Sequence, residues 1–361
     1  MTTGPAAAIT SLVEERRVVV CAGPGGVGKT TVSAAIALEA ARRGRRACVI
    51  TVDPAKRLAD ALGVDALSNI PAAVEGVSPG SLHALMLDTK GTFDDLVARY
   101  ARSEAQAEAI RANRIYRDLT GMLSGTQEYM AMEKLYELTE SGDFDVVVVD
   151  TPPTRNALDL LDAPRRLTRF LENRLFRALL APTRASLRVV TLATKALLRT
   201  IARVAGAEIV QDAVDFFQAF EGMEEGFSTR ARAVREMLAD PDTAYVLITS
   251  PRPDSIEEAA YFAARLAETG VEPVALVVNR VHPDFPPVSV PGEPGGALEA
   301  LVANHARLIA AATRERAALG SLVDRVAPRP VARVPLLAGD VHDLDGLRTM
   351  AGHLFADTPV G

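Results

Sequence analysis

Short apolar runs recur along this chain, separated by longer stretches of helical composition. Val18 to Ala22, Cys48 to Val52, Leu82 to Leu87, Val146 to Val149, Tyr245 to Thr249, Val274 to Val278 and Val331 to Val334 are rich in β-branched residues. Several are apolar at every position, as strands buried on both faces are. Their alternation with helical stretches predicts an α/β fold, a doubly wound, mostly parallel sheet covered by helices. In such a sheet ligands gather at the carboxyl ends of the strands, so chemistry is expected after Ala22, Val52 and Val149. Two intervals are too long for simple crossovers and read as helical, about 89–144 and 154–242. They predict a helical layer inserted at one edge of the sheet, within a single domain over residues 1–361. Residues 282–296 hold five prolines and three glycines and read as a mobile loop.

Composition narrows the function classes. At 361 residues, 48% hydrophobic and 24% charged, the chain can bury a sizeable core. Its net charge of −6 offers no global basic field for nucleic acid, and none is expected as a partner. The N-terminal stretch has no apolar core flanked by bases, and no segment approaches the roughly 18 apolar residues of a membrane span. A cytoplasmic protein is expected, peripheral at a membrane if any membrane is met. Cys21 and Cys48 fall in expected strands without a C-x-x-C pair, so they read as small core residues and not as disulfide, zinc or iron–sulfur ligands.

Between the first expected strand and an Ala-rich helix, Thr31 to Arg43, lies G-P-G-G-V-G-K-T-T, residues 23 to 31. Gly23, four residues and then Gly28-Lys29-Thr30 satisfy the P-loop spacing, in which backbone N–H groups cradle phosphates and the lysine reaches the β- and γ-phosphates. Gly23, Gly25, Gly26, Val27, Gly28, Lys29, Thr30 and Thr31 are therefore the expected nucleotide-binding residues, with Thr30 a ligand of Mg²⁺. After the second strand, Asp53 in Asp53-Pro54-Ala55-Lys56-Arg57 places a carboxylate in reach of the γ-phosphate, where it could position the attacking water. After the fourth, Val146 to Val149 leads into Asp150-Thr151-Pro152-Pro153-Thr154, the form of a Walker B strand whose aspartate holds Mg²⁺ directly or through water. Asn279, in Val277-Val278-Asn279-Arg280, carries an amide that could read an adenine edge. The cofactors expected are ATP and Mg²⁺, with Lys29 and Asp53 as the catalytic pair.

These pieces together resemble the family of the arsenite-pump ATPase and the ATPase that delivers tail-anchored membrane proteins, in the deviant-Walker P-loop class that also holds the Min and Par ATPases. The likeness runs from Val18 to about Leu347 and includes the D-P-A and D-T-x-P-T motifs and the tail segment Val334-Pro335-Leu336-Leu337. It implies a P-loop ATPase working as a dimer with nucleotide at the interface. Asp53 would lie in the first switch, Asp150 would open the second, Thr31 would meet the α-phosphate, and Asn279 with the Pro335 region would surround adenine. The family's glycine loop usually begins G-K-G-G, with that first lysine reaching the partner's phosphates; this chain has Pro24, which carries neither charge nor N–H. The usual Gly-His of the second switch is Arg155-Asn156, a glutamate often near the nucleotide is Arg252, and the family's metal-binding cysteines have no counterpart.

Residues 163–206 carry ten bases and one acid, Glu172. At 100° per residue Arg184, Arg188, Lys195, Arg199 and Arg203 form one stripe, with Val190, Leu197, Ile201 and Val204 opposite, so a basic amphipathic helix is expected. It reads as a helix packed on the inserted layer, as a docking face for an anionic membrane or acidic partner, or, by the family's geometry, as a groove for a membrane-protein client. The resulting expectation is a Mg²⁺-dependent ATPase whose dimer closure acts on an apolar client, a membrane or a membrane-protein partner. The missing loop lysine favours a heterodimer with a lysine-bearing paralogue over a homodimer in which Arg155, Lys56 or Arg57 supplies the charge. The rival is a nucleotide-binding regulatory subunit with little hydrolysis of its own. A Par-like partitioning ATPase would want a basic C-terminal face, whereas Asp340, Asp343 and Asp345 make that end acidic.

Overall fold

A computed structural model describes residues 5–53, 57–117, 126–152, 162–169, 207–288 and 296–356. They fall into two compact units, one within Met1–Met86, Leu138–Leu158 and Pro241–Gly361 and the other within Leu87–Glu137 and Asp159–Asp240.

The first unit is built on one eight-stranded sheet: β1 (Val18–Ala22), β2 (Arg46–Thr51), β3 (Ala72–Val74), β4 (Ser81–Met86), β5 (Val146–Asp150), β6 (Thr243–Thr249), β7 (Ala275–Val281) and β8 (Val331–Pro335). Their order is β3-β4-β2-β5-β1-β6-β7-β8, and every pair is parallel except β3 with β4. The seven strands expected from the apolar runs are all present, within a few residues of the expected limits. β3 was not expected: it is an Ala-Ala-Val segment whose two alanines are exposed, and it holds its place through edge pairing with β4 and not through any apolar run of its own. β1 and β5, at the centre, are buried at every position, which accounts for their unbroken valines. Cys21 and Cys48 are buried core residues outside any disulfide.

Helices α1 (Pro5–Glu15), α2 (Lys29–Arg42) and α3 (Arg57–Leu62) belong to this unit. In the second unit lie α4 (Thr89–Tyr100), α5 (Glu104–Ala112), most of α6 (Thr126–Glu140), α7 (Ala207–Ala219) and α8 (Glu224–Ala239). The first resumes with α9 (Pro253–Glu268), α10 (Ala297–Val326) and α11 (Leu344–Phe355). α2 is Ala-rich and buries ten of its residues, because small side chains let its axis lie close against the sheet. No described helix is long and apolar enough to cross a membrane.

The second unit is helical in its described residues and has an aromatic core of its own. Phe93 stacks on Tyr116 with ring centroids 5.2 Å apart, and Phe227 meets Phe93, Tyr100 and Phe220. Beside this core a buried ion pair joins α6 to α8: Arg230 Nε donates to Glu133 Oε1 at 2.6 Å, and the guanidinium lies over the Tyr136 ring at 4.1 Å. The amphipathic stripe expected over Arg184 to Val204 and the pair Arg155-Asn156, expected in the second switch, lie outside the described residues. Of the proline-rich loop, residues 282–288 carry no regular structure and 289–295 lie outside the description.

Candidate functional site

The glycine loop leaves β1 under tight steric control. A Cβ at Gly23 would overlap the carbonyl oxygen of Ile248 in β6, so only glycine lets the chain turn off the sheet there. Gly28 has φ +90°, and a Cβ there would overlap the Asn279 amide nitrogen. That left-handed residue is the N-cap of α2, and it turns the loop so that the following helix begins with Lys29, Thr30 and Thr31. Lys29 is 8% exposed, and its Nζ donates to the Pro24 carbonyl at 2.8 Å.

The carboxyl ends of β2 and β5 bring the second group of residues to this loop. Cys21 of β1 and Thr51 of β2 both lie in register with Asp150. Thr30 Oγ1 donates to Asp150 Oδ2 at 2.7 Å, and Thr51 Oγ1 donates to the same oxygen at 2.9 Å. The Thr151 hydroxyl donates to the Cys21 carbonyl at 2.8 Å, which ties the end of β5 to the end of β1. Burial pushes the Asp150 carboxyl above its ordinary value, against the pull of the two threonine hydroxyls and of Lys29. Burial likewise pushes the Lys29 ammonium down, against the attraction of Asp150 and Asp53. Asp53 sits one residue beyond Val52, its backbone N–H donating to Thr51 Oγ1 at 3.2 Å and its carboxylate paired with Arg57 at 3.3 Å.

A cavity of about 600 Å³ opens onto these groups. Gly25, Gly26, Gly28, Lys29, Thr30 and Thr31 line it with Asp53, Asp150, Asn279 and Pro335, so ten of the residues singled out in the sequence meet on one wall system. Gly23 and Val27 are not on the wall. Gly23 packs on β6, and Val27, 1% exposed, belongs to the core under the loop. The wall also includes Asp60 and Ala61 of α3 and, ahead of α11, Leu336, Leu337 and the run Gly339 to His342. Asn279 spends its amide on protein: Nδ2 donates to the Val27 carbonyl at 2.8 Å, and Oδ1 accepts from the Arg280 N–H at 2.9 Å. The adenine contact expected of it would have to use the second N–H and the second lone pair.

Three wall or support residues were not singled out beforehand. Thr51 and Thr151 are hydroxyls at strand ends, beside Asp53 and after Asp150, and that placement was a readable signal. Arg280 left none. It lies at a bulge, where β7 steps from Asn279 to Val281 while β8 advances only from Val334 to Pro335.

Chemically, the loop and the start of α2 present backbone N–H groups and an ammonium to anions. Thr30 and Asp150, joined by one hydrogen bond, offer the oxygen donors that suit a hard cation such as Mg²⁺, which keeps much of its shell as water and phosphate oxygen. Among the described residues no three His, Cys, Asp or Glu side chains gather into a metal cage.

Residues 16–356 match the model of a family described as anion-transporting ATPase. An uncharacterised protein of Streptomyces coelicolor is 34% identical over 272 residues, which cover 75% of this chain and 64% of that protein. The ATPase asna-1 of Caenorhabditis elegans is 30% identical over 172 residues, 45% of this chain and 49% of the nematode protein. A putative arsenical pump-driving ATPase 1 of Aquifex aeolicus is 23% identical over 350 residues, covering 95% of this chain and 80% of the relative. The chain thus spans less than two thirds of the length of the Streptomyces and nematode relatives.

Proposed function

This chain belongs to the anion-transporting ATPase family, and we propose that it hydrolyses MgATP in the cavity formed by the glycine loop and the carboxyl ends of β2 and β5. The observation that carries the reading is the hydrogen bond of 2.7 Å between Thr30 and Asp150, which brings the loop and the Walker B strand to one point beside Lys29. Magnesium bound with the nucleotide would neutralise charge on the phosphate oxygens.

The loop N–H groups and Lys29 bind the polyphosphate, Lys29 exchanging the neutral Pro24 carbonyl for a charged phosphate oxygen. That exchange opposes the downward push that burial exerts on the Lys29 ammonium. Thr30 and Asp150 hold the cation, Thr51 fixes the rotamer of Asp150, and Asp53 orients the attacking water. The protein works as a dimer in which nucleotide-driven closure acts on an apolar client or a membrane-protein partner. The pump-driving role named for the Aquifex relative carries over only as energy coupling, because both cysteines of this chain are core residues of β1 and β2 and cannot capture a thiophilic anion.

The test is direct binding and single-turnover hydrolysis. Lys29→Ala should abolish MgATP binding with the melting temperature of the nucleotide-free protein unchanged or raised. Asp53→Asn should bind MgATP as wild type does and lose about 10²-fold or more in single-turnover rate, since water orientation matters only in the transition state. Wild-type protein that binds no adenine nucleotide overturns the reading. Tight binding with no turnover, unchanged by Asp53→Asn, is the result expected of a regulatory subunit.

A further inference from the structure

Lys29 beside the glycine loop and Arg57, paired with Asp53, are cations of this cavity, and another reaches the loop itself from the far strand. Arg280 is the one non-glycine residue with positive φ, +63°, among the described residues. It is the extra residue of the β7 bulge, left unpaired between Asn279 and Val281. Bulges re-aim side chains, and a bulky residue held in the left-handed region marks a place where the surroundings impose the conformation. Here the result is specific: Arg280 Nη1 donates to the Gly26 carbonyl at 3.0 Å, and the residue lines the same cavity as Lys29, Thr30 and Asp150. Its own N–H is held by Asn279 Oδ1, and Asn279 in turn is anchored to Val27, so two adjacent residues of β7 grip two adjacent residues of the loop.

The side chain is also left with little else to do. Among the described residues Arg280 makes no ion pair, although many arginines of this chain do, Arg57, Arg230 and Arg252 among them. One N–H of five meets a neutral carbonyl. Lys29 is in the same position on Pro24, two residues earlier in the loop. Two cations therefore converge on Pro24 to Gly26, each holding a weaker acceptor than a phosphate oxygen would be.

We propose that Arg280 supplies, from within the same chain, a phosphate-contacting cation to the nucleotide bound in this cavity. This rests on the ATPase reading above and deepens it. It also gives the loop that carries Pro24 a positive charge without a lysine from a second subunit, so a dimer of identical chains would be complete.

The experiment measures MgATP affinity by calorimetry, single-turnover rate and nucleotide-free melting temperature for wild type, Arg280→Gly, Arg280→Gln and Arg280→Lys. Glycine accepts φ +63° without strain, so Arg280→Gly should melt at or above wild type and separate function from folding. Glutamine keeps a donor for the Gly26 carbonyl but no charge; lysine keeps the charge. The glycine and glutamine variants should each lose at least about tenfold in MgATP affinity or in single-turnover rate, and the lysine variant should lose less. Glutamine matching arginine would overturn the proposal in favour of a neutral brace on the loop, and lysine no better than glutamine would also overturn it. Wild type that binds MgATP, with all three variants within about twofold of it, refutes the role of Arg280 alone. Wild type that binds no nucleotide refutes the ATPase reading, and this inference falls with it.

Discussion

Truncating Asn279 to alanine tests how the glycine loop is held in place before any nucleotide arrives. The side chain is 3% exposed and makes two hydrogen bonds, to the Val27 carbonyl at 2.8 Å and from the Arg280 N–H at 2.9 Å. Alanine leaves both groups without that partner. A buried polar group stripped of its hydrogen bond costs about 1–3 kcal/mol. Water entering from the cavity would reduce the cost at Arg280, which is exposed, but Val27 is 1% exposed and its carbonyl stays dry. The expected destabilisation is therefore about 2–4 kcal/mol, equivalent to a fall of roughly 4–12 °C in the unfolding of the sheet unit at about 2–3 °C per kcal/mol for a unit of this size. Differential scanning calorimetry suits a chain with no tryptophan. Asn279→Asp is the control: it still accepts from Arg280 but turns an oxygen toward the Val27 carbonyl, so it should melt no higher than the alanine variant. Asn279→Ala unfolding within about 1 °C of wild type would refute the argument that this amide, and not loop packing alone, locks the glycine loop to β7.

Two further outcomes follow from buried charges. Because burial raises the Asp150 carboxyl, its ionised form costs the folded state stability that is intact below the ordinary carboxylate range and is lost as pH rises through the raised value. Asp150→Asn, which can still accept from Thr30 and Thr51, should thus melt above wild type near neutral pH, with the gap closing toward about pH 4, while Mg²⁺-dependent nucleotide binding is lost; a gap independent of pH would sink the assignment. In the helical unit, Glu133→Ala leaves Arg230, 13% exposed, without its carboxylate and should cost about 3–5 kcal/mol, whereas Glu133→Leu combined with Arg230→Met should recover most of it. A single-variant loss below about 1 kcal/mol in chemical denaturation would show that water reaches the pair.

Much of the sheet could be read from the chain because its strands are buried on both faces. Val146 to Val149 can be nothing but apolar when β2 and β1 flank them and helices cover them, and Asp150 declares itself as the first polar residue beyond. β3 was unreadable for the opposite reason. At an edge, with exposed alanines, backbone pairing alone holds it, and pairing leaves no mark in side-chain pattern. The loop itself was legible because each constraint on it excludes all but one or two residue types: no side chain fits at Gly23 against Ile248, and none sits easily at Gly28 with φ +90°.

Asn279 and Arg280 show where such reading stops. Val277-Val278-Asn279-Arg280-Val281 looks like a strand running into a turn, and nothing in it marks a bulge, since the residue forced into the left-handed region is an arginine where a glycine would have announced it. Local preference is overridden there because two hydrogen bonds donated to loop carbonyls and one donated by the Arg280 N–H to the Asn279 side chain together fix the position. A residue at positive φ that is not glycine loses stability a simpler sequence would keep, of order 1 kcal/mol or more, and here that conformation directs a guanidinium onto the glycine loop. The same reasoning changes the significance of Pro24. A loop with proline in place of its first lysine is incomplete only if no other cation reaches it, and in this fold the strand end two positions away in the sheet brings one to within hydrogen-bonding distance of Gly26.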